Sequence, residues 1–335
     1  MAEAQEITVG VDNRDEDSSY GDDEVRSYTT SLSSSVERYT WENGRRYHSF
    51  REGAYNFPND EGEQDRLDLV HHVTLMLLDD KLHLAPLPTD GRPLRILDVA
   101  CGTGIWTMDL ADKLPNSVVI GNDLSPIQPK WVPPNVHFEV DDIEDQWPPR
   151  EPFDLIHMRY LLASIKDWPR LLKQAYDQLK PGAYIELQDY NTDAYTEDGS
   201  ATSENHAFIK FCDVFNAACD KIGRNGSPGK HLKGWAEDAG FVNVQHRCFP
   251  IPLGPWARDP KLKQIGGIHL VSMRDALEAV LLGLLTRVEG WSPEEVSVFV
   301  AQIKNDMKKK GPHILQELHV VWAQKPEAPT GTAAT

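Results

Sequence analysis

Residues Leu94 to Trp106, LRILDVACGTGIW, set a short β-branched run directly against a turn with two glycines, and Asp98 sits near the end of that run. A brief apolar run bounded by turn residues reads as a buried strand. The spacing of WTMDLADKL (Trp106–Leu114) predicts a helix straight after it. Strand, glycine turn and helix make the opening unit of a parallel sheet, and the pattern then repeats. Strands are predicted at Val118–Asp123, Val136–Val140, Phe153–Met158 and Ala183–Asp189, and a helix at Pro169–Leu179, stopped by the proline and glycine of LKPGAY. Such alternation implies βαβ units with helices on both faces.

Beyond Asp189, helical spacing marks Asn205–Gly223, GKHLKGWAEDAGF, about Ser272–Val288 and Pro293–Lys309. Two more strands are read at VNVQHRCFPI and QELHVVWAQK, bringing the total to seven. The expected fold class is α/β, a doubly wound, mainly parallel, seven-stranded sheet of Rossmann-like form. A helical N-terminal segment (about Gln64–Leu82) and a helical lid insertion are available to cover its active edge. The expected organisation is an acidic disordered tail over 1–40, a helical cap over 41–90, the main domain over 91–325 with lid segments at about 190–235 and 255–312, and a loose tail over 326–335.

Charge and cysteine content narrow the function. Net charge is −18 over 335 residues, which disfavours unselective attraction to nucleic acid or anionic membrane, both polyanions. Residues 1–40 hold ten acids against three arginines and too few apolar side chains to offset the entropy of ordering. Cys101, Cys212, Cys219 and Cys248 show no CxxC pair and no metal-ligand spacing with histidine, so free thiols in a reducing compartment are expected and no metal site. No secretory signal is visible at the N-terminus, and the longest apolar stretch, Ala276–Leu285, is too short to span a bilayer. An intracellular location, cytoplasmic or nuclear, is expected.

In a doubly wound sheet the ligand lies beyond the carboxyl ends of the strands, with the turn after the first strand as its floor. The lysine and spacing of a phosphate-binding P-loop are missing. A dinucleotide fingerprint would want a third glycine where Thr107 stands. Asp98 is the sharper clue, because a carboxylate there repels a pyrophosphate and suits a cation. S-adenosylmethionine carries an ammonium and a sulfonium and no phosphate. Asp123, 21 residues beyond Gly102, ends the second strand where a carboxylate accepts from ribose hydroxyls. Asp142 can accept from an adenine amino group while Ile143 packs on the ring. In FDLIHMR, His157 and Arg159 alternate onto one side, and Arg159 is suited to hold a carboxylate of cofactor or substrate.

LDVACGTG, the Asp123 strand end, DDIED, FDLIHMR and LKPGAYIELQD together resemble the class I S-adenosylmethionine-dependent methyltransferases. The flanks RRYHSFREGAYNFPNDEGEQDRLDLVHH and VIGNDLSPIQPKWVPPNVHFEVDDIEDQW are similar to the fungal LaeA-like methyltransferases, associated with secondary metabolism. The resemblance covers roughly Tyr39 to Tyr190. It implies that Asp98, Gly102 and Gly104 meet the methionine moiety, Asp123 and Leu124 the ribose, and Asp142 and Ile143 the adenine. It also implies that Tyr47, Arg51 and Tyr55 fold over the cofactor, and Ala100, Cys101 and Met158 complete the candidate cofactor set. Ala100 departs from the family, many members of which have glycine there.

The expected reaction is in-line transfer of a methyl group to a small secondary metabolite or a protein. Alignment and exclusion of water supply much of the barrier reduction in such a displacement. A hydroxyl or amine acceptor also needs a base, for which His157, His206 and Asp189 are candidates. Tyr160, Trp168, Tyr190, Phe208, Phe211 and Phe215 are candidates to line an acceptor pocket. The rival expectation is a cofactor-binding regulator with little turnover, acting through a velvet-type protein partner as the resemblance implies. An oxidoreductase is disfavoured by Asp98 and Thr107.

Overall fold

The computed structural model describes residues 39–42, 44–48, 50–51, 55, 57–309 and 311–328. Most of the acidic N-terminal segment and residues 329–335 lie outside these described residues, and with them the disorder expected there.

A two-stranded antiparallel hairpin, β1 (Tyr39–Glu42) and β2 (Arg45–His48), comes first, followed by helix α1 (Glu61–Leu77). The expected all-helical cap over 41–90 therefore begins as strand. Asp60 caps α1 by accepting from the Glu63 amide at 3.1 Å, so the helix starts at Glu61 rather than Gln64. Asp79 and Asp80, both left-handed, follow its end, which stops it short of Leu82.

The main sheet holds β3 (Arg95–Val99), β4 (Val118–Asp123), β5 (Val136–Val140), β6 (Phe153–Arg159), β7 (Leu179–Thr196), β8 (Val242–Pro252) and β9 (Ile314–Gln324). Their order is β5-β4-β3-β6-β7-β9-β8. The first five are parallel to one another, and β9 runs antiparallel to both β7 and β8. The winding goes outward from β3 to β5 and then returns to β6 on the other side of β3. The crevice at that reversal is the place for a ligand.

β3 is buried on both faces, which is why its sequence is a near-continuous apolar run. Ile96 and Leu155 pack with Trp106 and Leu110 of α2 (Ile105–Lys113) on one side. Leu97 and Ile156 pack on the other side with Leu171 and Leu172 of α3 (Trp168–Gln178) and Leu232 of α5 (Leu232–Asp238). A further helical layer joins α1 to α4 (Ala207–Lys221), α6 (Pro260–Leu284) and α7 (Pro293–Asp306) around Val73, Phe208, Phe215, Leu277 and Leu281, seated on Leu318 and Val320 of β9. Each such side chain, once buried, contributes about 1.5–3 kcal/mol, so apolar area holds this layer onto the sheet.

α6 starts at Pro260, well before the expected Ser272. Gly266 and Gly267 look like a turn in sequence, yet Gly266 lies inside the helix because only a residue without Cβ lets it approach the Gly254 carbonyl. Among the described residues no helix is long and apolar enough to cross a membrane.

Candidate active site

The turn after β3 holds three residues in the left-handed region, Ala100 (φ 53°), Gly102 (58°) and Gly104 (77°). At Gly102 an added Cβ would meet nothing nearer than Leu67 Cδ1 at 3.9 Å, so the backbone is open toward the cleft. Gly104 differs. A Cβ there would run into the Phe138 ring, and Gly104 is absent from the cleft wall. Its expected contact with the methionine moiety is therefore corrected: this glycine serves packing and the start of α2.

Asp123 braces the turn. Its carboxylate accepts from the Gly102 amide (2.9 Å) and the Ser125 amide (2.9 Å), while the Gln128 side-chain amide donates to the Gly102 carbonyl (2.7 Å). Burial pushes the Asp123 pKa up to about 6, against the pull of those amide bonds. Asp98 accepts from the Thr107 hydroxyl (2.7 Å) and from His157 Nδ1–H (2.8 Å). Two of its lone pairs are thus spent inside the protein, and what Asp98 offers the cleft is negative charge.

His157 corrects another expectation. It is fully buried, its ring stacked on Trp106 with centroids 3.7 Å apart, and it is not part of the cleft wall. Burial lowers its pKa. Strand alternation set its side correctly but not its depth, because Trp106 covers it; a base must reach its substrate, and this one cannot. Met158 points to the opposite face, into the core around Leu97 and Ile156.

Arg159 does line the cleft. Its Nη2 donates to His71 Nδ1 (2.9 Å), which leaves the other ring nitrogen, Nε2–H, to donate to Asp109 (3.0 Å). Burial drives the His71 pKa down to about 3, so the ring is neutral and fit for that relay. Burial also lowers the Arg159 pKa, and among the described residues no carboxylate forms an ion pair with it. A half-buried cation with no directly paired carboxylate among the described residues suits an anionic ligand.

The remaining wall comes from the ends of β4 and β5 and from α1. Leu124, Asp142, Ile143, Ala100, Cys101 and Tyr55 all line the cleft. Asp142 accepts from the Glu144 amide at 3.0 Å, which fixes its carboxylate at the rim. Burial raises the Cys101 thiol pKa, so it stays protonated. Tyr47 and Arg51 do not line the cleft. Tyr47 is buried under Arg287, whose guanidinium lies 5.4 Å from the ring centroid, and exposed Arg51 pairs with Asp145. Leu67, His71 and Asn59 are wall residues that the sequence analysis missed; the spacing of Leu67, Val70 and His71 along α1 is the signal that could have found them.

The other two base candidates are also corrected. His206 caps α4, accepting from the Phe208 amide at 3.3 Å, away from the cleft. Asp189 accepts from the Leu161 and Tyr190 amides at 2.8 Å each, is buried, and lines no cavity beside the cleft. It holds the strand end in shape, and burial pushes its pKa up to about 7.

A second cavity adjoins the first and shares Val70 and Tyr160 with it. Its wall is mainly apolar, with Phe57, Phe211, Phe215 and Tyr190, and carries a few polar groups from Arg66, His269 and Ser272. Arg66 is paired with Glu63 and donates to the Tyr160 hydroxyl oxygen at 3.1 Å. Tyr160 adopts φ 61°, a strained conformation of the kind that gathers at functional sites. Of the other aromatic candidates, Trp168 stacks on Trp235 and Phe208 packs in the helical layer, both outside this cavity.

A doubly wound sheet with an acid-lined cleft at its switch point defines a class, and comparison with known proteins agrees: residues 69–246 match the methyltransferase domain family, to which this chain belongs. Within that family it falls with the fungal LaeA-like proteins. Methyltransferase pytC of Aspergillus terreus is 44% identical over 301 residues, covering 90% of this chain and 92% of that protein. Secondary metabolism regulator laeA of Aspergillus fumigatus is 35% identical over 311 residues, covering 90% of this chain and 81% of that protein. Among solved structures, Haemonchus contortus phosphoethanolamine N-methyltransferase 2 in complex with S-adenosyl-L-methionine covers 91% of this chain and 74% of that one, at 15% identity and a TM-score of 0.46.

Proposed function

We propose that the chain is an S-adenosylmethionine-dependent methyltransferase whose acceptor is a small, mainly apolar molecule held in the second cavity. The observation that carries the donor is the charge of the cleft. Among the described residues, Asp98, Asp123, Asp141, Asp142 and Glu144 line it, with Glu63 already paired to Arg66, against a single wall arginine, Arg159. A phosphate-bearing dinucleotide meets repulsion from such a wall, whereas a sulfonium and an ammonium are stabilised by it. Arg159, half-buried in the cleft wall, then suits the one anion of the same molecule, its carboxylate.

When bound, S-adenosylmethionine supplies an electrophilic methyl group on a cationic sulfur. In this assignment Arg159, oriented by His71 and Asp109, holds the carboxylate, Gly102 lets the backbone approach, and Asp123 accepts from ribose hydroxyls. Asp142 and Ile143 receive the adenine. Tyr160 stands between the two cavities and aligns the acceptor, while the apolar wall excludes water. His269 donates through Nε2 to Gln316 Oε1 (3.0 Å), so its Nδ1 is the accepting nitrogen. Its pKa, lowered by burial to about 4, makes it a hydrogen-bond acceptor rather than a strong base. That favours an acceptor oxygen that is already acidic.

The relative named as a methyltransferase, at 44% identity, supports this reading. Those named as secondary metabolism regulators support a second one, a cofactor-binding regulator with little turnover. One experiment separates them: labelled S-adenosylmethionine is incubated with the protein, a small-molecule extract and a protein extract. Label entering the apolar small-molecule fraction is the expected result. Label in protein alone overturns the acceptor assignment, and cofactor binding with no transfer to either extract favours the regulator.

A further inference from the structure

Cys248 and His319 face each other across the β8–β9 pair, and Glu317, two residues before His319, shares their face of the sheet. Their separation of 71 residues hides the cluster from any reading of cysteine spacing. His319 Nε2 lies 3.8 Å from Cys248 Sγ and 3.2 Å from Glu317 Oε2, and the three donor atoms all fall within 4.8 Å of one another. Tetrahedral zinc with bonds of about 2.0–2.1 Å to N or O and about 2.3 Å to S places N and O about 3.3 Å apart and N and S about 3.6 Å apart. The N–O and N–S separations at His319 are each within a few tenths of an ångström of those values.

The surroundings aim the donors inward. The Asn191 carbonyl oxygen accepts from the Lys230 amide (3.0 Å), so its NH2 group is the one that donates to His319 Nε2 (2.9 Å). Nε2 is therefore the accepting nitrogen, and Nδ1–H donates to His246 Nε2 (2.8 Å). An outer partner on the far nitrogen of a ligating histidine is the usual means of fixing its tautomer and tilt. The Tyr195 hydroxyl donates to Glu317 Oε1 (3.4 Å), while Oε2, on the cluster side, accepts from the same Asn191 NH2 group (3.3 Å). A Cβ at Gly229 would lie 2.8 Å from His319 Cδ2, so the chain seats closely on the ring.

We propose that Cys248, Glu317 and His319 bind one zinc-type transition-metal ion, with its fourth position open to solvent beside exposed Cys248. On binding, the ion takes the place of the Asn191 NH2 group at both His319 Nε2 and Glu317 Oε2. The ion ties the edge strand β8 to β9, whose next residue, Gln316, faces the opposite way and lines the second cavity. Its role is to stiffen that wall, and it stands apart from methyl transfer.

The test uses the full chain, stripped with a chelator and titrated first with cobalt(II) chloride and then with zinc chloride. The wild type should show a thiolate-to-cobalt charge-transfer band that saturates at one ion per chain and is abolished by zinc. Cys248→Ser should lose the band while keeping the circular dichroism of the wild type, and His319→Gln should weaken zinc binding roughly tenfold or more. Zinc should raise the melting temperature of the wild type and leave that of Cys248→Ser unchanged. No band in the wild type, a band retained in Cys248→Ser, or an equal zinc-induced rise in both proteins overturns the proposal. Because Cys248 is exposed, its variant remains informative should His319→Gln fail to fold.

Discussion

Arg159 is the residue on which donor recognition turns, and its energetics set a two-part expectation. A hydrogen-bonded charged group is worth about 1.5–3 kcal/mol, so Arg159→Ala should weaken S-adenosylhomocysteine by roughly ten- to a hundredfold in calorimetry. The same variant should bind methylthioadenosine, which lacks the carboxylate, as the wild type does; equal losses for both ligands would remove Arg159 from the carboxylate. Asp123 gives a pH expectation. Its raised pKa of about 6 means that the free protein loses the accepting carboxylate as pH falls through that value. Affinity for S-adenosylhomocysteine should therefore drop between pH 7.5 and 5, and Asp123→Asn should flatten the profile. The places of Asp98, Asp123 and Arg159 on the cleft wall were legible because they sit at strand ends, where period-two patterning fixes location and side; Asp142 and Ile143 lie in the loop after β5 and were marked by its run of acids. His71 was not legible, since it depends on how α1 docks; Tyr160 was read as an acceptor-pocket candidate, but its left-handed backbone carried no sequence signal. His157 was misread because periodicity carries no information about what covers a side chain.

At the level of elements, the two glycines of the first turn do different work. Both are left-handed, but only Gly104 presses on a neighbouring ring. Gly104→Ala combines backbone strain with a clash and should cost about 2–4 kcal/mol, while Gly102→Ala carries the backbone term alone, about 1 kcal/mol. Chemical denaturation should show that order, and Gly102→Ala should lose cofactor affinity out of proportion to its stability. If Gly102→Ala proves the less stable of the two, the packing account of Gly104 is wrong. β4 and β5 were legible to the residue because β-branched runs end cleanly at turns. The start of α6 was not, since Gly266 signals a break locally and is retained for a contact with Gly254, a partner no local window contains. The opening hairpin was missed for a related reason: its short strands pair with each other and carry no long period.

Across the molecule, buried ionisable groups oppose one another in pH. Burial pushes Glu186 and Asp189 up to about 7, so the folded chain keeps protons that the unfolded chain releases near pH 4. Stability from these groups falls as pH rises from about 4 to above 7. His71 and His269, lowered to about 3 and 4, act in the opposite sense, because the unfolded chain gains protons below about 6.5 that the folded chain refuses. The two effects offset each other between about pH 4 and 6.5, and above that only the acids act. Unfolding free energy should therefore decline by on the order of 1 kcal/mol from pH 6.5 to 8, a few degrees in melting temperature, and Glu186→Gln should reduce the slope. A melting temperature that rises over this interval contradicts the assignment.

The sheet order has a consequence for biosynthesis. β9 follows β7 and β8 in the chain and so leaves the ribosome after them, yet it lies between the two. Until it arrives, β8 has no neighbour and β7 presents a long open edge, the sort of edge that invites aggregation while translation continues. A premature stop anywhere before Ile314 thus removes an interior strand rather than a dispensable end, and nascent chains of this protein depend on protection until β9 has been made.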